Sequence, residues 1–360
     1  MPCLESCFGA LPDPRARNAS HRLGDLVVMM VAASLCGATT ATEFALFAEN
    51  RKSALSQLID YDSAPSHDTF SRLLRLMDPD AFARAFAVFA AGFSQALAEM
   101  EIGAGHVVAL DGKTLRRAYE RGQAASPPLT VSAFAAEARL CLAAATPNSE
   151  ENEIEAAIKV VELLDLTDKI VTADALHCHR RMAQAIVDQG GNYVLALKGN
   201  RRHWRQKARE ILAAVEPATA EHSKLSHGRN EWRRAEVVPT PKPLMVGHAA
   251  FLRITSKRDQ GKPLTRLFMT STLLTPKQAL AITRAHWQVE NGLHWMLDVH
   301  LHEDLSRARK DNAPANLAII TRIARNILQR IDVDKTPISH RIKKCAWNDD
   351  YLVNALAHMR

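Results

Sequence analysis

None of the six cysteines falls in a CxxC pair; Cys3, Cys7, Cys36, Cys141, Cys178 and Cys345 are scattered through 360 residues. A chain this long builds a core without staples, so a disulfide framework is excluded and a reducing compartment is implied. Fixed-period repeats and low-complexity tracts are missing as well, which removes solenoids and linker-like segments from consideration. Nor is any apolar run long enough to cross a bilayer. The nearest, LVVMMVAASLCGA from Leu26, follows a charged segment with Arg15, Arg17, Arg22 and Asp25, the wrong flank for a signal peptide. It reads as a buried helix. The expected location is therefore the cytoplasm, beside the nucleoid, with no membrane partner.

What is present is the balance of a globular protein, 47% hydrophobic and 24% charged, with a formal net charge of +7. That surplus suits a polyanionic partner without identifying one. Residues 1–100 read as a helical module suited to DNA binding or dimerisation. Its helices run over Leu26–Ala38, from Thr42, after PSHDTF with Ser66 or Asp68 as cap, and from Asp78–Pro79–Asp80. At His106 the texture changes. HVVALDG, LTVSAFA and RLCLAAA are strand candidates, followed by a helix over Glu150–Leu166, the strand KIVTADA, the helix HRRMAQAIVDQG and the strand NYVLALKGN.

A basic helix, RRHWRQKAREILAAV, comes next. The strands RNEWRRAEVVP, HAAFLRITSKRD and LTRLFMTSTLL follow, and Thr275–Pro276 then starts one long helix holding Glu290. The organisation is a helical module, an α/β core over 101–330 with a β-rich insertion at about 217–275, and a C-terminal tail over 331–360.

The β-β-β-α-β-α order is that of the ribonuclease H-like fold, a mixed-sheet α/β core in which the first and fourth strands are neighbours. There Asp111 and Asp174 would end side by side, and a helix returning to the sheet could bring Glu290 to the same point. Three adjacent carboxylates repel unless cations neutralise them. Mg²⁺, or Mn²⁺ in its place, is the natural cofactor for hard oxygen donors and in-line phosphoryl displacement. Each acid also has a bland reading: Asp111 before a glycine as a turn former, Asp174 as a helix cap, Glu290 as a solvent-facing helix residue. The joint placement favours chemistry.

His286 and His294 lie four residues either side of Glu290 and share its helix face. They either orient the carboxylate or pack behind it, and Asp298 is a supporting acid. Trp287 and Trp295 read as core residues, Trp287 buried beside Glu290. His177, Cys178, His179, His300, His302 and Glu303 show no established zinc spacing. Arg201 to Arg209 holds five positive residues, a tryptophan and no acid, a run able to meet phosphates.

The series PSHDTF, LDGKTLR, NEI, VTADALHC, NYVLALKGN, HGRNEWR, HWQVENGLHWMLDVHLHEDLSR and NLAIITRIARNIL closely resembles bacterial insertion-sequence transposases of the ISAs type, including the H-repeat-associated proteins. The resemblance runs over nearly the whole chain. It implies a DDE transposase that cuts element ends and joins the freed 3′-hydroxyl to target DNA, with Asp111, Asp174 and Glu290 as catalytic metal ligands. It also implies double-stranded DNA as partner and a homo-oligomer assembled on it. Lys113, Arg116, Lys198, Asn200, Arg201, Arg202, Arg205 and Arg229, in or beside those motifs, are the expected DNA contacts. The chain departs from its relatives at Arg117–Ala118–Tyr119, and at Leu297, where related transposases often carry lysine. Two other functions compete: an immobile descendant binding DNA or a protein without strand transfer, and a metal-dependent nuclease using the same acids.

Overall fold

A helix that is apolar on every side must be surrounded by protein, and LGDLVVMMVAASL meets that condition. It forms α1 (Leu23–Leu35), with ten of its 13 residues buried. The computed structural model describes residues 7–16, 19–93, 106–118, 127–226, 229–331 and 336–357. Around α1 stand α2 (Ala41–Asn50), α3 (Lys52–Leu55), α4 (His67–Leu76) and α5 (Pro79–Ala91). Their starts follow capping chemistry. Thr40 and Glu43 form a capping box, Ser66 rather than Asp68 caps α4, and Asp78 caps α5 with Pro79 in its first turn.

The core follows as β1 (Val107–Thr114), β2 (Leu129–Ala135), β3 (Leu140–Ala145), α6 (Glu153–Glu162), β4 (Ile170–Ala173), α7 (Arg180–Asp188) and β5 (Asn192–Leu197). After α8 (Arg202–Ala214) come β6 (Ala218–Ser226), β7 (Arg229–Pro239), β8 (Ala250–Arg258) and β9 (Leu264–Thr270). All nine strands join one mixed sheet in the order β3-β2-β1-β4-β5-β9-β8-β7-β6. Strand β4 pairs in parallel with β1 and β5. The insertion therefore does not stand apart from the core sheet; it extends it through the antiparallel β5–β9 pair. It also holds a strand the sequence pattern does not announce. ATAEHSKLS, which forms β6, has no apolar run and gains its place by pairing along β7.

The long helix expected from Thr275 is broken. Thr275 and Gln278 box the start of α9 (Pro276–Ala285), which covers Ala235, Val237, Leu252 and Ile254 on one face of the sheet. Beyond it, Glu290–His294 forms a π-helical turn, and α10 (Trp295–Val299) follows. Gly292 shows why the chain widens here. A Cβ at this position would sit 3.1 Å from Phe134 Cζ, while its carbonyl accepts a 2.8 Å hydrogen bond from Arg325 Nη2. The turn is pressed onto the sheet.

Arg325 belongs to α11 (Ala313–Arg330), in which 16 of 18 residues are buried. This helix packs on α1, α4, α5 and β3, joining the helical module to the core. The expected tail is also structured: α12 (Ile338–Trp347) and α13 (Asp349–Ala357) bury Cys345, Leu352 and Leu356. Arg51 pairs with Asp349 and donates to the Ala346 carbonyl, fastening these helices to the N-terminal ones. Among the described residues no helix is long and apolar enough to cross a membrane.

Strand β3 is a sheet edge, and Asn326 closes it. Its Nδ2 donates to the Cys141 carbonyl at 2.7 Å, and its Oδ1 accepts from the Cys141 N–H at 2.9 Å. Asn326→Ala leaves both buried backbone groups unpaired, at about 1–3 kcal/mol each. Urea unfolding should show a lowered midpoint; an unchanged one would mean that other groups satisfy this edge.

Candidate active site

Strands β1 and β4 run in parallel with Ala109 level with Thr172. The register runs on to Leu110 level with Ala173; Asp111 follows within β1, which continues to Thr114, and Asp174 is the first residue past β4. Two histidines meet these strands. His286 Nδ1 lies 3.0 Å from the Thr172 hydroxyl, and His294 Nδ1 lies 3.5 Å from Asp111 Oδ2. The π turn between them carries Glu290. Its side chain is exposed, yet among charged groups it acts most strongly on Asp111.

Burial, then the charge of Glu290, then that of Asp174 and Glu153 push the Asp111 carboxyl up to about 7, against the pull of the Gly112 N–H. Burial holds both His286 and His294 down at about 4, so both rings are neutral. Asp174 does not cap the following helix, which His179 caps; its Oδ1 accepts from the Leu176 N–H at 2.8 Å, holding a turn. It also stands 4.0 Å from Lys198 Nζ. The carboxylates are hard oxygen donors whose mutual charge a divalent cation would relieve. Among the described residues, no three His, Cys, Asp or Glu groups are close enough to hold a metal as they stand. Repulsion between uncompensated anions opposes such a closed arrangement.

Lys113, expected on DNA, is instead 7% exposed and held by three acids: Asp298 at 2.6 Å, Asp304 at 2.9 Å and Glu303 at 3.4 Å. Arg322 completes the cluster from α11, with Nη1 2.6 Å from Glu303 Oε1 and Nε donating to Ser132 Oγ at 2.9 Å. Burial raises the Glu303 carboxyl, but Arg322 and Lys113 outweigh it and hold the group below its usual range. Lys113 lies two residues past Asp111, and the acids lie just past Glu290. The cluster thus ties the strand of one acid to the segment of another. Asp298 is linked to the strand of Asp111 through Lys113. The roles of Glu303 and Arg322 had no signal in the sequence, because the segments involved meet only in the fold.

Residues 103–327 match the Transposase DDE domain family, and residues 5–90 match the DDE_Tnp_1-associated family. The chain belongs to the DDE transposase family. It is 30% identical to putative protein YbfL of Escherichia coli strain K12, and 29% identical to the H repeat-associated putative transposase YhhI of the same strain, each over 96% of both chains. Among solved structures, a piggyBac transposase synaptic complex with hairpin DNA aligns over 98% of this chain and 78% of its own, at 10% identity and a TM-score of 0.42.

The expected DNA contacts of this DDE transposase divide. Asn200 Nδ2 donates to the Ala175 carbonyl at 2.6 Å and Arg201 Nε to the Cys178 carbonyl at 2.9 Å, so both hold the loop after Asp174. Lys198, Arg202 and Arg116 are exposed and Arg205 is half-buried. The Arg229 side chain and Tyr119 lie outside the described residues. His177 and His179 are buried in the same loop, where His179 caps α7.

The tryptophans are not core residues. Val289, Leu293 and Leu297 take the buried stripe, which leaves Trp287 43% and Trp295 52% exposed. Arg266 stands 5.2 Å over the Trp287 ring. Both rings line an open groove of about 1590 Å³ with eight Arg and Lys side chains and two glutamates. Its cations come from β7, β8, β9, α9, α11, α12 and the turns before β3 and β9, too dispersed in sequence to appear as a basic run.

Lys113→Met would leave Asp298 without its basic partner and Glu303 with Arg322 alone, and should cost about 3–5 kcal/mol. Chemical denaturation measures this directly; a variant as stable as the wild type would place Lys113 outside the supporting framework.

Proposed function

We propose that this DDE transposase cuts the ends of an insertion sequence and transfers the freed strand to target DNA at a ribonuclease H-like site. The β3-β2-β1-β4-β5 strand order and the parallel β1–β4 pair support that fold. The observation carrying the function is the parallel β1–β4 register up to Leu110 and Ala173, the residues just before Asp111 and Asp174, together with the charge of Glu290 acting on Asp111. Asp111, Asp174 and Glu290 are the residues that would hold one or two Mg²⁺ ions, or Mn²⁺. Bound there, the metal would activate the attacking water or 3′-hydroxyl and stabilise the leaving oxygen as the P–O3′ bond breaks.

The rest of the site positions those acids. Neutral His286 ties the start of the glutamate segment to β4, and neutral His294 rests against Asp111 without neutralising it as a fixed cation would. Lys198, Arg202, Arg205 and Arg116 are available to phosphates beside the site, and the cationic groove continues that surface along the inserted strands. Two element ends require two sites, so the working form is a homo-oligomer assembled on double-stranded DNA. The helical module over 1–100 serves DNA binding or dimerisation in this scheme.

Asp111→Asn is expected to lose strand cleavage of DNA carrying the element ends in the presence of Mg²⁺, with DNA affinity largely kept. Full cleavage by the variant would overturn the assignment. Replacing Arg202 and Arg205 together by Ala should reduce the slope of log affinity against log salt by about 0.9 per lost phosphate contact. An identical slope would leave these two residues on an idle solvated face.

A further inference from the structure

Glu153 opens α6 and was given no role by the sequence pattern beyond an acidic first turn. Its neighbours in sequence are engaged elsewhere: Glu151 pairs with Lys159, and Glu155 completes the capping box with Asn152. Glu153 lies against β1. A Cβ on Gly112 would sit 2.6 Å from Glu153 Oε1 and 3.1 Å from its Cδ. Only the missing side chain lets the carboxylate rest on the β1 backbone, one residue from Asp111. Alternation puts Gly112 on the face opposite Asp111, so Glu153 reaches the strand ends from the far side of the sheet. Its charge is among those that act on Asp111.

A second observation comes from the other aspartate strand. His177 lies in the loop that begins at Asp174, and its N–H donates to the Asp174 carbonyl at 3.3 Å. The ring is 1% exposed, neither of its nitrogens has a hydrogen-bond partner, and Nε2 is 3.4 Å from Glu153 Oε1. An unsatisfied buried ring is costly, and this one is aimed at the carboxylate. Among the described residues, His177 is the only basic group within 4.0 Å of Glu153. Glu153 is thus held from both aspartate strands, 29% exposed, and without a lysine or arginine to neutralise it.

We infer that Glu153 is a fourth carboxylate of the divalent-metal site, a ligand to the ion that Asp111 holds, with His177 behind it. This rests on the reading of Asp111 and Asp174 as metal ligands. It gives a reason for a glycine inside β1, where no turn requires one: any side chain there would displace the fourth acid.

The test is titration of the full-length protein with Mn²⁺ alone, without DNA, following bound ion by electron paramagnetic resonance. Asp111→Asn, Glu153→Gln and Gly112→Ala are compared with the wild type. Glu153→Gln keeps the shape of the side chain, and metal-free melting checks that each variant folds. Glu153→Gln and Gly112→Ala should each weaken Mn²⁺ about tenfold or more, the second without removing any charge. DNA cleavage by Glu153→Gln should fall at low Mg²⁺ and recover as Mg²⁺ is raised. If Glu153→Gln binds Mn²⁺ like the wild type while Asp111→Asn has lost it, the fourth ligand is refuted and the three-acid site stands. If Asp111→Asn also binds like the wild type, the metal site itself is refuted.

Discussion

Lys113 and Arg322, both almost wholly buried, share the carboxylate of Glu303, and Asp298 and Asp304 close on Lys113 from the same side. Ion pairs in such a setting contribute little net stability, but losing one partner is expensive. The consequence is positional. β1, the segment after Glu290 and α11 have no covalent proximity, yet this cluster lets none of them shift without stranding a charge. The distance between Asp111 and Glu290 is therefore a property of the core, which the proposed chemistry requires.

The π turn adds the second constraint. An uninterrupted α-helix from Pro276 would carry its buried stripe past Gln288 at a fixed pitch. Val289, Leu293 and Leu297, four residues apart, all face inward across the turn at Glu290–His294. His286 and His294 meet different strands at the same time. Such turns are frequent at functional sites. Here the cause is local and visible: Gly292 lies on Phe134, with its carbonyl held by Arg325, itself 5.2 Å over the same ring.

α11 extends the effect to the rest of the molecule. It supplies Arg322 to the charged cluster, Arg325 to the π turn, Asn326 to the edge of β3, and an apolar surface to α1 and α5. The N-terminal helices and the two C-terminal ones are packed on each other and on this helix, so they form a layer of the same body.

Much was legible in the residues. Alternating apolar runs, caps and turn signals are local properties, and they located α1, α2, α4 to α8 and eight of the nine strands, missing the short α3. They also placed Asp174 just past the end of β4, because a short apolar run closing on an acid is written in consecutive residues; β1, by contrast, runs on through Asp111 to Thr114 by pairing with β2. The motif series identified the family, since it depends on residue types in order. Packing decided what order cannot. Lys113 became a buried structural cation because acids some 190 positions away close on it. Trp287 and Trp295 face outward because Val289, Leu293 and Leu297 take the buried stripe. Glu153 came to Asp111 because Gly112 left room beside β1. The sequence by itself determined most of the elements and the motifs that carry the acids; the tertiary structure alone decided which charges meet, because those meetings join distant segments whose contacts exist only in the packed fold.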